Sequence, residues 1–185
     1  MRRFIAPTAL GLLILSADFT PLAAQSASAA PPVPAARPED VGSVDAIIGA
    51  LYHVISGPAG QKRDWDRFRS LFAPGARLMP TGRDQAGKGR MTVWSAEDYI
   101  KTAGGGLETS GFFEREIGRT VAQYGKIVQA FSAYDSRRLA ADEKPFARGI
   151  NSIQLFDDGT RWWIVTVLWE QESAANPIPA KYLTP

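Results

Sequence analysis

Five aliphatic residues recur at helical spacing near the start of the folded part of the chain, namely Val44, Ile47, Ile48, Leu51 and Ile55. This pattern predicts a helix over residues 38–56 with one apolar face. Pro38 suits the first turn of that helix, because a proline there needs no hydrogen-bond partner. Gly57 and Pro58 are expected to end it.

Two further helices are predicted from their capping residues. Asp64 is a good N-cap for a short helix that buries aromatic residues at positions 65, 68 and 72. Ser95 and Asp98 have the spacing of a capping box at the start of a third helix. The three glycines at 104–106 predict that this third helix ends there.

The second half of the chain alternates apolar and polar residues, which is the period of half-buried strands. Short strands are predicted over residues 76–81 and 90–94, and long ones over 112–121, 126–136, 148–156 and 161–172. Asp158 and Gly159 form the tight turn of the last hairpin. Three helices in the first part of the chain, followed by long strands, indicate an α+β fold with a curved, mixed or antiparallel sheet.

The N-terminal residues have the pattern of a secretory signal peptide. Arg2 and Arg3 precede an apolar stretch that is short for a membrane-spanning helix, and small residues follow it. We predict a signal peptide over 1–29, a disordered Ala/Pro-rich tether over 30–40, a folded domain over 41–173 and an irregular tail over 174–185. The protein is expected to be exported, periplasmic or secreted, without stable membrane insertion after signal cleavage. An uncleaved anchor is the alternative.

Composition excludes several kinds of chemistry. The 185 residues include no cysteine and one histidine, His53. Cysteine nucleophiles, thiolate metal sites and histidine-rich metal sites are therefore ruled out. The formal net charge is +2 and the folded part has no dense run of Lys and Arg, so nucleic-acid binding has little support. We predict no cofactor, no metal and no nucleic-acid partner.

Several short motifs carry a resemblance to a known family. They are Phe72-Ala73-Pro74-Gly75-Ala76 after the second helix, the closing turn and strand at 158–162, and the segments 131–134 and 148–152. With the element order, they resemble the nuclear transport factor 2-like (NTF2-like) superfamily, which includes ketosteroid isomerase-like and SnoaL-like proteins. Segments 131–134 and 148–152 are similar to an exported bacterial branch of unassigned activity. The resemblance covers residues 41–172 and implies a cone, in which the curved sheet wraps the helices around a pocket.

The resemblance also implies where a ligand would bind and which groups would meet it. Family enzymes hold a carboxylate or histidine base and a hydrogen-bond donor in the cavity between sheet and helices. Tyr52, at the edge of the apolar face of the first helix, is the predicted donor, with a packed core tyrosine as the alternative. Asn151 shares a strand face with apolar neighbours, so it either orients a ligand or bonds a neighbouring strand. Ser132 and Tyr134 share one strand face and are predicted to line the pocket as well.

Tryptophans are predicted to form the wall of the pocket and part of the core. Trp94 is one of them, and the last strand carries others. Because Trp162 and Trp163 are adjacent, they must point to opposite faces of that strand. One therefore lies on the outer face, where a homodimer partner is expected to cover it. Glu170 alternates with Trp162 and is predicted at the cavity mouth, with a rim charge as the alternative.

The alternation does not embed any carboxylate in an apolar face. Glu114 and Glu116 share a predicted face with Gly118 and Thr120, which indicates a solvated or interfacial surface. The leading interpretation is thus an exported domain whose pocket binds a small hydrophobic molecule, with no assigned activity. The alternatives are an acid–base lyase, isomerase or cyclase acting on such a molecule, and a protein-interaction scaffold. A base with a shifted pKa on the cavity floor would favour the enzyme.

Overall fold

Four helices lie in the part of the chain that the computed structural model describes, residues 32–183. They are α1 Pro38–Val41, α2 Val44–Ile55, α3 Trp65–Ser70 and α4 Ala96–Ser110. The predicted first helix is divided, because the Ser43 hydroxyl accepts the Ala46 amide and starts α2 anew. No helix in residues 32–183 is long and apolar enough to cross a membrane. The predicted signal peptide lies outside the described residues.

The capping predictions for the other two helices are confirmed, but one predicted end is wrong. The Asp64 side chain caps α3, and Ser95 with Asp98 forms the capping box of α4. Helix α4 does not end at the three glycines but continues through them to Ser110. Gly104 has a packing reason to be small, since a Cβ there would lie 3.0 Å from the Trp65 ring. Gly104 therefore lets α4 approach α3 closely.

Six strands form one mixed sheet in the order β2-β1-β6-β5-β4-β3. They are β1 Phe72–Arg83, β2 Gly89–Met91, β3 Phe113–Tyr124, β4 Ile127–Arg137, β5 Ala147–Asp157 and β6 Trp162–Gln171. β1 runs parallel to β6, and the other neighbouring strands are antiparallel. The predicted α+β class with a mixed sheet is confirmed. The core lies between α2, α3, α4 and one face of this sheet, hereafter the inner face.

Two of the three register shifts among the described strands, those in β3 and β6, decide which charged side chains reach the inner face. In β3 the register with β4 shifts between Glu116 and Gly118. In β6, Val165 is left out of the pairing with β5. Side chains alternate along a strand, so an extra residue exchanges the faces of all residues beyond it. Both shifts change which charged residues face the helices.

The outer face of the sheet is partly covered by the C-terminal segment of residues 172–183. The Ile178 amide donates a hydrogen bond to the Glu172 carboxylate over 2.8 Å. The Tyr182 ring stacks on Phe131 of β4, with 5.4 Å between ring centroids. The predicted homodimer through the outer face stays a prediction, and a partner there would have to meet this segment as well.

Replacing Gly118 with alanine is expected to release the C-terminal segment from the sheet. A Cβ at this position would lie 2.4 Å from the Tyr182 carbonyl oxygen, a backbone atom that cannot rotate away. Hydrogen exchange of the amides in residues 178–183 should become roughly tenfold faster, because local opening costs less. The matched control is Gly82→Ala, where no atom lies within 4 Å of the new Cβ. Equal hydrogen-exchange rates of these amides in the two variants would contradict this packing of the C-terminal segment on the sheet.

Candidate functional site

A cavity of about 330 Å³ lies between the helices and the inner face of the sheet. Its volume is in the range of small-molecule sites. Most lining residues come from α2, α3, α4 and the long strands, and two come from the segments between them. They are Leu51, Ile55, Phe68, Leu78, Pro80, Trp94, Tyr99, Ala103, Phe112, Glu114, Tyr134, Asn151, Val167 and Trp169. Among these lining residues, Glu114 alone has an ionisable group that is charged near neutral pH.

Glu114 presents its carboxyl group to this apolar cavity. It lies at the start of β3, opposite Ser136 of β4, whose hydroxyl donates a hydrogen bond to it over 2.8 Å. Burial raises the pKa of Glu114 to about 7, and the hydrogen bonds from Ser136 and Asn151 oppose that shift. The residue is half-buried, and it borders this cavity and a second cleft behind it. An apolar enclosure of this kind holds a carboxyl group ready to exchange a proton near neutral pH.

Two phenols face the same cavity without a hydrogen-bond partner among the described residues, those of Tyr99 and Tyr134. Burial, followed by the charge of Glu114, raises the pKa of both. They therefore remain protonated and can donate. The Tyr134 ring reaches its position because Gly149 lies beside it in β5, where a Cβ would be 2.5 Å from the phenol oxygen.

Aromatic rings form the wall opposite the polar groups. The Tyr99 ring stacks on Phe68 with 5.1 Å between centroids, and it meets Trp169 edge-on at 6.4 Å. The ring centroids of Trp94 and Trp169 are 6.1 Å apart. Flat rings in offset and edge-on contact favour a planar, apolar ligand beside them. Trp94 and Trp169 thus line the cavity, whereas Trp163 lies outside it and bonds Asp158.

The structure brings Tyr52, Ser132 and Asn151 together, as part of a buried hydrogen-bonded chain. The Asn151 amide donates to the Tyr52 hydroxyl over 3.0 Å, and 2.6 Å separates that hydroxyl from the Ser132 hydroxyl. Asn151 lines the cavity, while Tyr52 and Ser132 lie behind it. Ser132 donates its proton to Glu116, so Tyr52 must donate to Ser132. Tyr52 therefore has no proton to offer a ligand, and Tyr99 or Tyr134 is better placed than the predicted donor.

Glu170 lies on the other side of the sheet from the cavity. It borders a groove of about 260 Å³ between the outer face and the C-terminal segment, with Phe131, Ser152 and Leu168. The predicted position at the cavity mouth relied on uninterrupted alternation from Trp162. The bulge at Val165 reverses the faces beyond it, so Trp169 turns inward and Glu170 outward.

A second, polar cleft of about 400 Å³ lies between α2 and β3, behind Glu114 and Tyr52. Its titratable or charged lining residues are Asp45, His53, Glu114, Arg115, Glu116 and Arg137. His53 is exposed, and its Nδ1 lies 2.9 Å from an Arg67 nitrogen. In residues 32–183 no group of three or more acidic, histidine or cysteine side chains could hold a metal ion.

Sequence reasoning missed Glu114 and Tyr99. Tyr99 of α4 packs against the core and lines the cavity. The signal for Glu114 is its strand position opposite Ser136, one of two inward serines of β4. Because β4 turns these serines inward, the paired strand β3 is expected to turn polar side chains inward beside them.

Comparison with known proteins finds similar folds in solved structures. A protein of unknown function with a cystatin-like fold from Nostoc punctiforme is 11% identical, with a TM-score of 0.52, over 69% of this chain and 87% of its own. An NTF2-like protein of unknown function from Silicibacter pomeroyi is 14% identical, with a TM-score of 0.47, over 71% and 94%. Another from Shewanella baltica is 14% identical, with a TM-score of 0.43, over 69% and 90%.

The likeness at these identities concerns the fold alone. No family model matches the chain, and no curated protein matches it. The predicted α+β fold with a mixed sheet is confirmed, whereas membership of the NTF2-like superfamily and of its exported branch stays a prediction.

Proposed function

We propose that this chain, whose α+β fold resembles that of NTF2-like proteins, binds a small, uncharged, hydrophobic molecule and transfers a proton to or from it with Glu114. The observation that carries this proposal is the carboxyl group of Glu114 in an otherwise apolar cavity, with a pKa of about 7. Such a carboxyl group is about half ionised near neutral pH, so it can act as a base or an acid. The reaction class is that of an acid–base isomerase, lyase or cyclase.

The two free phenols supply the second part of such a reaction. Removal of a proton next to a carbonyl group moves charge onto the oxygen, which needs a hydrogen-bond donor. Tyr99 and Tyr134 face the cavity, and the charge of Glu114 raises the pKa of both, which indicates that they lie near it. No cationic side chain lines the cavity, so an anionic substrate would be buried without a counter-charge. An uncharged carbonyl or phenolic compound fits these groups.

Nitrobenzisoxazole, a flat and uncharged bicycle, is expected to be opened by the protein. Glu114 would take the ring C–H proton, the electrons of that bond would form a nitrile, and the N–O bond would break to leave a coloured phenolate. The rate should rise with pH, with a midpoint near the Glu114 pKa of about 7. Glu114→Gln should lower it at least roughly 100-fold, the usual contribution of a positioned base. Absorbance of the phenolate measures this.

The matched control is Glu143→Gln, an exposed glutamate outside the cavity, which should keep the full rate. Quenching of tryptophan fluorescence reports binding separately, because Trp94 and Trp169 line the cavity. A compound that binds but opens at the same rate in the wild-type protein and Glu114→Gln would leave a binding function only. A rate that does not depend on pH between about 6 and 8 would also count against Glu114 as the base.

A further inference from the structure

A chain of hydrogen bonds runs from the cavity wall to a second glutamate, Glu116, which does not line the cavity. Its three bonds join Asn151 to Tyr52 over 3.0 Å, Tyr52 to Ser132 over 2.6 Å, and Ser132 to Glu116 over 2.5 Å. The three residues between the cavity and Glu116 are at most 5% exposed. Beyond Glu116, Arg119 pairs with it at 3.3 Å and with Asp45 at 2.6 Å.

The end of the chain fixes the direction of every bond in it. An ionised carboxylate can only accept, so the Ser132 proton points to Glu116. Ser132 has one proton, so it must accept from Tyr52. Tyr52 likewise has one proton, so it must accept from Asn151. Asn151 therefore turns its NH₂ group, and not its carbonyl oxygen, toward Tyr52.

The orientation of this amide matters at the cavity because Asn151 and Glu114 line it together, and the Asn151 amide lowers the pKa of Glu114. An NH₂ group has two N–H donors, so one remains available toward the Glu114 carboxylate while the other serves the Tyr52 hydroxyl. A flipped amide would present its oxygen to one of these groups instead. An oxygen facing the Glu114 carboxylate would repel it rather than stabilise it.

We propose that Glu116 is a positioning residue for the proposed proton transfer: it accepts the last bond of the chain and thereby holds the Asn151 NH₂ group toward Tyr52 and Glu114. The inference rests on the proposed function only for its catalytic meaning, since the orientation itself can be measured without a substrate. The β3 bulge lies between Glu116 and Arg119, so these residues turn to the same face of the sheet although they are three positions apart. Arg119 lies opposite Ser132. Both side chains therefore face Ser132 from the same strand.

A purely electrostatic role of Glu116 would change the Glu114 pKa in the opposite direction from a positioning role. A nearby negative charge disfavours ionisation of Glu114, so removing that charge would lower the Glu114 pKa. Loss of the Asn151 donor would raise it, because the carboxylate loses a hydrogen bond. The other charged groups of the polar cleft behind Glu114 are Asp45, His53, Arg115 and Arg137, and a substitution at Glu116 leaves them in place. The sign of the shift thus separates the two roles.

The test is a carbon-13 NMR titration of the glutamate side chains in the full chain, with the Glu114 signal assigned by its loss in Glu114→Gln. Glu116→Ala and Ser132→Ala should each raise the Glu114 pKa by about one unit, the value of one hydrogen bond to a charged group. The double variant should shift it no further, because both changes cut one chain. Glu116 is partly exposed, so its alanine variant should fold even if Ser132→Ala does not.

Two outcomes would overturn the positioning role: a lowered or unchanged Glu114 pKa in Glu116→Ala, or additive shifts in the double variant. Glu143→Ala is the control and should leave the pKa unchanged. The side-chain NH₂ signals of Asn151 should also move in Glu116→Ala, and only one other asparagine, Asn176, has to be told apart. If nitrobenzisoxazole is not opened but the pKa rises as expected, the positioning stands and the proposed function fails.

Discussion

Glu114→Gln is expected to stabilise the protein by about 3 kcal/mol at about pH 8, while leaving it nearly unchanged at about pH 4. The reason is the difference between the Glu114 pKa of about 7 in the folded protein and its ordinary value of 4.5 in the unfolded chain. Between those values the folded state binds the extra proton, so stability falls as pH rises through this window. Above about pH 8 both states are ionised and the loss is nearly complete.

The measurement is urea unfolding followed by tryptophan fluorescence, at a series of pH values between about 4 and 8. The quantity compared is the free energy of unfolding of the variant minus that of the wild-type protein. This difference should grow by roughly 1.4 kcal/mol per pH unit within the window and then level off. Glutamine keeps the shape of the side chain and cannot ionise, so packing changes affect all pH values equally.

Glu143→Gln is the control, and its difference from the wild-type protein should stay flat across the series, since this glutamate is exposed. A flat difference for Glu114→Gln as well would mean that the carboxyl group ionises as freely in the folded protein as in water. Such a result would remove the observation on which the proposed function rests. Urea unfolding of these variants therefore tests the raised Glu114 pKa without a substrate.

Local chemistry was sufficient to predict most of the elements. Asp64 caps α3 and Ser95 caps α4 because their side chains accept amide protons within the next turn, which is a property of a few adjacent residues. The Asp158-Gly159 turn is equally local, since Asp158 accepts the amides of Thr160 and Arg161. These signals need no knowledge of the rest of the fold.

The site was harder to predict, because its charged residues follow from bulges. The pattern grouped Glu114 with Gly118, but the register shift in β3 separates their faces, and Glu114 turns inward. The bulge at Val165 has the converse effect and turns Glu170 outward. A bulge is set by how neighbouring strands and helices pack, which a single strand pattern does not contain.

The packing between the helices was also not predictable from the local sequence, as Arg63 shows. Within the polar sequence Gln61-Lys62-Arg63-Asp64 it has the pattern of a surface residue, yet it is 6% exposed. Its guanidinium donates to the carbonyl oxygens of Ile55, Gly57 and Leu107 over 3.0, 2.6 and 2.9 Å. These bonds join the end of α2 to α4, and both helices line the cavity.

Arg63→Met is therefore expected to destabilise the protein by about 4 kcal/mol, although methionine has a similar length. The change removes a donor from the carbonyl groups of Ile55, Gly57 and Leu107. Gly57 keeps the Phe112 amide as a donor, and leaving each of the other two carbonyl groups unsatisfied costs about 1–3 kcal/mol. Urea unfolding measures the loss, and Arg90→Met on the exposed strand β2 is the matched control, which should cost less than about 0.5 kcal/mol. Because Ile55 and Ala103 line the cavity from the two joined helices, binding of nitrobenzisoxazole should weaken as well. A loss no larger than that of the control would mean that water satisfies these carbonyl groups and that the helices are held by their apolar faces alone.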